Sequence, residues 1–173
     1  MKHWLWIILL LPVSPLVAKD KKLGGYVLDP AAFRKIQSYC IDTNYLPPRE
    51  VKVISQFVAR ESRPTGLLAR LPWRRLATCR EGGFDAIVRP EFPSNRFSSI
   101  FMRREINGVL LVFRAGSPTP IYETREVLMT DAFEGHNEGF ATEVLEHDAL
   151  YYVVRILIHD WQRFSVPAPP ATS

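Results

Sequence analysis

The chain is 173 residues long, 47% hydrophobic and 23% charged, with 22 Lys and Arg against 18 Asp and Glu. That much apolar material at an average charge content can bury one core, which excludes both a disordered chain and a membrane-embedded one. The net charge of +4 implies a mildly basic exterior. The arginines at 60, 63, 70, 74, 75 and 80 are dense but spread over several predicted elements, so nucleic acid is not an expected partner.

At the amino terminus, Met1-Lys2-His3 is a short positive start, residues 4–11 are an unbroken apolar run, and residues 12–18 lead to Ala18 ahead of Lys19-Asp20-Lys21-Lys22. This is the layout of a secretory signal peptide, residues 1–18. The apolar run is about half the length a membrane-spanning helix needs. Leu16 occupies a position where a smaller residue is preferred, and no cysteine follows the run to accept a lipid anchor. The expected location is therefore periplasmic or secreted, with membrane contact only if the signal stays uncleaved. Residues 19–165 are expected to form a single domain.

In chain order, residues 19–25 read as a flexible lead-in and residues 33–41 as a strand rich in β-branched and aromatic side chains, closed by Asp42-Thr43-Asn44. Pro47-Pro48 opens a helix whose apolar face is Val51, Ile54, Phe57 and Val58, and residues 62–66 break it. Residues 73–79 and 84–92 read as strands, with Pro90 marking an edge or a bulge. Residues 97–105 lead through Asn107-Gly108, a strong hairpin signal, into a strand at 109–114. A strand at 121–127 and a polar loop at 130–139 follow. The last element is a helix over 142–164, striped by Leu150, Val153, Val154, Leu157, Trp161 and Phe164, with Glu143 and Glu146 in its first turn. Residues 166–173 read as a disordered tail. The predicted fold class is α+β: an antiparallel or mixed sheet of about five strands with two helices packed on one face.

An exported chain meets an oxidising compartment, and there the two cysteines, Cys40 and Cys79, read as one disulfide. They lack the Cys-x-x-Cys spacing of a redox pair, and two distant thiols are too few for a structural metal site; two buried free thiols remain the alternative. The remaining chemistry is sparse. His136, Glu143 and His147 form the one polar cluster worth naming, since Glu143 and His147 are four apart on a predicted helix. They match no recognised metal-ligand spacing, so no metal and no cofactor is expected. The two His-Asp pairs, 147-148 and 159-160, point to different helix faces. No Gly-x-Ser-x-Gly nucleophile motif or phosphate-cradling glycine loop is present.

Leu71-Pro72-Trp73, the strand Asp85-Ala86-Ile87-Val88-Arg89-Pro90-Glu91-Phe92, the run Leu110-Leu111-Val112-Phe113 and Ile121-Tyr122-Glu123 resemble the layout of exported bacterial envelope-protein domains. The pattern is similar in outline to the amino-terminal domain of the TolB translocation protein and to curli-assembly-like lipoproteins. The resemblance implies an envelope domain without catalytic residues to carry over, and this chain departs from the lipoproteins in lacking the lipidated cysteine. The functional expectation is an exported, non-catalytic domain that binds an envelope protein or surface through a sheet edge or an uncovered sheet face. The alternatives are a small exported hydrolase using His136, Glu143 and His147, and a small-molecule carrier with a cavity between sheet and helices.

Overall fold

Two long antiparallel strands, β4 (Ala86–Ser98) and β5 (Arg103–Arg114), are the spine of the computed structural model. The structure describes residues 24–80, 82–98, 103–132 and 138–165; the expected signal peptide, most of the lead-in, His136 and the expected tail lie outside the described residues. Ahead of the spine come β1 (Tyr26–Val27), helix α1 (Pro30–Arg34), β2 (Ser38–Ile41), helix α2 (Pro48–Glu61), a 3-10 turn at Leu68–Arg70 and β3 (Arg74–Arg75). After it come β6 (Pro120–Glu123), β7 (Val127–Ala132) and helix α3 (Glu138–Ser165).

The seven strands form one sheet in the order β1-β6-β5-β4-β2-β3, with β7 beside β5 next to the end of β6. The sheet is mixed: β2 runs parallel to both β3 and β4, and the other pairings are antiparallel. Parallel neighbours need a crossover long enough to carry the chain back to the starting end of the sheet, and α2 with the 3-10 turn supplies it between β2 and β3. The architecture is thus α+β, with seven strands rather than about five and three helices rather than two.

Several local differences have identifiable causes. Phe33 belongs to α1, not to a strand: Pro30 pre-sets the first turn and the Asp29 side chain accepts from the Ala32 amide at 2.9 Å. The strand expected at 73–79 shrinks to Arg74–Arg75, because Trp73 turns into the core. Pro90, by contrast, lies as expected where β4 is an edge strand, since β2 pairs only with residues 86–88, and a register irregularity follows between Glu91 and Ser94. Asn107-Gly108 is not a turn but lies inside β5. Gly108 is there because α3 passes close by: a Cβ at this position would come within 2.9 Å of the Ala149 methyl. The strand expected at 121–127 splits at Thr124, which is buried and bonds Leu110 through its amide (2.9 Å) and its hydroxyl (2.8 Å). Residues 130–132 extend β7 and Glu138 begins α3, shortening the expected loop from both sides.

All three helices contribute to one core. The buried stripe of α2 is Val53, Ile54 and Phe57, with Val51 and Val58 half-buried at its flanks. The stripe expected on α3 does face the sheet, from Leu150 to Phe164. Phe33 is fully buried at the centre of an aromatic group: Tyr122 stacks on it at 4.9 Å, and Trp161 and Trp73 meet it edge-on at 5.4 and 5.9 Å. Beside this group the buried Asp160 accepts from the Tyr122 hydroxyl at 2.9 Å and the Gly25 amide at 2.6 Å. Gly24-Gly25 is therefore tied to α3 rather than a loose lead-in. A side chain at Gly25 would strike the Glu123 carbonyl and the Tyr122 hydroxyl.

Candidate functional site

Glu143 and His147 do lie on one stretch of α3, and both turn toward α2. Lys52 Nζ reaches Glu143 Oε1 at 3.2 Å. The His147 ring meets Phe57 edge-on at 5.3 Å, and its Nδ1 lies 3.3 Å from Arg60 Nη2 and 3.6 Å from Asp148 Oδ1. Burial first, then the Arg60 charge, holds the imidazole below its ordinary pKa despite Asp148. It stays neutral at physiological pH.

Between them sits Glu146, which a helix starting at residue 142 would hold in its first turn. Because α3 starts at Glu138, Glu146 lies well inside it, with its side chain 1% exposed. Arg49 Nη2 lies 3.3 Å from Glu146 Oε1, and Asn95 Nδ2 donates to the same oxygen at 3.3 Å. Oε2 has no hydrogen-bond partner among the described residues. Burial pushes this carboxyl above the usual range, against the pull of Arg49. Glu61 shows the opposite balance. Burial pushes it up, but the Leu67 amide and the Arg60 guanidinium, both 2.8 Å away, outweigh burial and hold it low. The polar cluster is thus a seam that joins α2 to α3. The pairing of Glu143 with His147 is legible in their spacing of four, but only the helix start and the crossing of α2 bury Glu146.

Between sheet and helices the free space is about 20 Å³, lined by apolar residues such as Tyr39, Ile54, Phe57, Leu110 and Leu157. That is room for about one water molecule, not for the ligand a carrier would hold.

The sheet face away from the helices carries Ile87, Arg89, Glu91, Val109, Leu111 and Phe113 by register. Long side chains partly close it. The Arg89 guanidinium lies 4.8 Å from the Phe113 ring and 5.5 Å from the Tyr45 ring, and Asp42 Oδ2 holds its Nε at 3.1 Å. The Tyr45 hydroxyl donates to the Pro90 carbonyl at 2.6 Å. Phe113 under that guanidinium is consequently only 8% exposed without a helix above it.

The β1/β7 margin differs. Tyr26, Leu28 and Leu128 are 52%, 53% and 56% exposed there, and Arg125 stands 5.3 Å over the Tyr26 ring. Among the described residues β7 pairs only with β5, so its second edge presents unpaired backbone. The sequence signal for this edge is the short apolar run Val127-Leu128-Met129, which continues past the strand expected to end at 127.

No protein-family model matches the chain, and no curated protein matches it. Among solved structures it is similar to the PelC dodecamer from Paraburkholderia phytofirmans, seen in two crystal forms, one of them a leucine-to-methionine variant. Both have a TM-score of 0.41 at 10–11% identity, covering 75% of this chain and 92% of that one. A protein from Caulobacter crescentus CB15 described as a candidate lipoprotein gives a TM-score of 0.38 at 10% identity, covering 80% of this chain and 98% of that one. None of these three is a TolB or curli-assembly protein. No helix among the described residues is long and apolar enough to cross a membrane.

Proposed function

We propose that this chain is an exported, non-catalytic binding domain, periplasmic or secreted, that recognises a cell-envelope protein along the β1/β7 margin of its sheet. The observation that carries the reading is the convergence of two features on that margin. β7 offers an unpaired backbone edge, and three of the six exposed large apolar side chains among the described residues (Tyr26, Leu28 and Leu128) stand along it. An extended segment of a partner would add to β7 through main-chain hydrogen bonds and bury those side chains. The Cys40–Cys79 disulfide supports an oxidising compartment.

The test compares the tagged protein with its Leu128→Arg variant in capture from the native envelope fraction, followed by hydrogen exchange on the captured complex. The expected result is a partner held by the parent and lost by the variant, with residues 127–132 protected in the complex. Equal capture by both proteins, or protection elsewhere only, overturns the edge.

A further inference from the structure

The described part of the chain begins at the mouth of a gap in the sheet. β1 lies one strand outside β6, whereas the same lane outside β7 is empty among the described residues. β1 runs antiparallel to β6 and β6 antiparallel to β5, so β1 and β5 point the same way. Tyr26 pairs with Glu123 and Glu123 with Leu111, which sets Tyr26 level with Leu111. Gly108 pairs with Val127. Counting back from Tyr26 and Leu111 together brings Leu23 level with Val127, Lys22 with Leu128 and Lys19 with Asp131. A chain that enters β1 in a straight line therefore comes along the lane beside β7, antiparallel to it.

Three observations fit that course. The point of entry is fixed: the Gly25 amide donates to Asp160 at 2.6 Å, and Gly25 lies so close to the Glu123 carbonyl that a Cβ has no room. The lengths match, since residues 19–23 reach about 17 Å when extended, nearly the span of the six-residue β7. The chemistry matches too. Leu128 and Glu126, both exposed, border one shallow depression with Asn107, which donates to Glu126 at 3.2 Å. A lysine level with Leu128 can lay its stem over that side chain and bring its ammonium to Glu126, while Leu23 meets the half-buried Val127.

We propose that residues 19–23, Lys-Asp-Lys-Lys-Leu, form a further strand antiparallel to β7 that covers this edge until a partner strand displaces it. The inference concerns the regulation of the edge proposed above, yet it needs no partner to be true. An open edge is a template for self-association, and the covering strand replaces it with one that carries three lysines, a device that blunts such pairing.

The test is residue-resolved amide hydrogen exchange on the exported protein, compared with its Lys21→Pro/Lys22→Pro variant. Alternate residues of an antiparallel strand donate to one neighbour, so prolines at two successive positions remove a needed donor whatever the exact register. Intact mass shows whether residues 19–23 are present. The β7 amides that do not point at β5 are expected to exchange about tenfold faster or more in the variant, while the amides of Val112 and Val153 are unchanged. That pattern separates loss of the strand from loss of the fold. No envelope extract enters the measurement, so its outcome is independent of the capture experiment with Leu128→Arg. Equal exchange of the outward β7 amides in both proteins overturns the proposal. So does an exported protein that lacks residues 19–23, or faster exchange at Val112 and Val153 to the same degree as in β7.

Discussion

Glu146 shows how a single residue is set by its surroundings. On an exposed helix it would be an ordinary glutamate; enclosed by α2, α3 and the β4–β5 hairpin, it is a carboxyl whose charged form is disfavoured first by burial. Glu50 and Glu143 add to that, and Arg49 and Arg104 oppose it. Its folded-state pKa is raised above the unfolded value, so its stabilising contribution is fully present below the usual glutamate range, about pH 4, and is lost as pH rises through the raised value. Glu146→Gln removes that loss while keeping an acceptor for Asn95. Urea denaturation of both proteins from pH 4 to pH 7.5 should show the variant gaining on the parent as pH rises. A stability difference that is flat with pH would show that Glu146 is not the group responsible.

At the scale of elements, the central observation is a strand that continues where a turn was expected. Asn107-Gly108 is a strong local hairpin signal, yet β5 runs through it: β4 pairs with Asn107 and Val109 on either side of a register irregularity, β7 pairs with both residues of the dipeptide, and α3 presses on the glycine. Tertiary packing here uses the glycine for its missing side chain rather than for its backbone freedom. Gly108→Ala should therefore destabilise by about 1–3 kcal/mol, the usual penalty for overpacking. Adding Ala149→Gly should recover part of this even though glycine inside a helix costs about 1 kcal/mol. A double-mutant cycle by chemical denaturation reads the coupling, and strict additivity would mean the two positions do not touch. The same element-level logic explains α2: its periodicity predicts a helix with Ile54 and Phe57 inward, but whether Val51 or Val53 completes the stripe depends on the crossing angle with α3.

For the whole molecule, the disulfide is the long-range tie. Cys40 and Cys79 stand 5.3 Å apart at their Cα atoms with 39 residues of separation, joining β2 to the loop after β3. The loop they close contains α2, the 3-10 turn and β3, so the bond restrains the parallel crossover. Closing a loop of that length contributes up to about 4 kcal/mol in the chain-entropy picture. Replacing both cysteines with alanine should lower unfolding stability by about 2–4 kcal/mol, measured by urea denaturation; no change would mean the crossover is held by packing alone.

What the sequence determined by itself is what local chemistry can settle. The α+β class, the helix opened by Pro47-Pro48, the apolar stripe of α3 and the cysteine pairing all follow from short-range patterns or from compartment. What only the tertiary structure decided depends on neighbours distant in sequence. The parallel pairing of β2, the uninterrupted course of β5, the burial of Glu146 and the two margins of the sheet belong to this group. A strand pattern specifies which faces are apolar but not which strand lies alongside. A free edge or a buried carboxylate is a property of that neighbourhood, and so it appears only when the sheet is assembled.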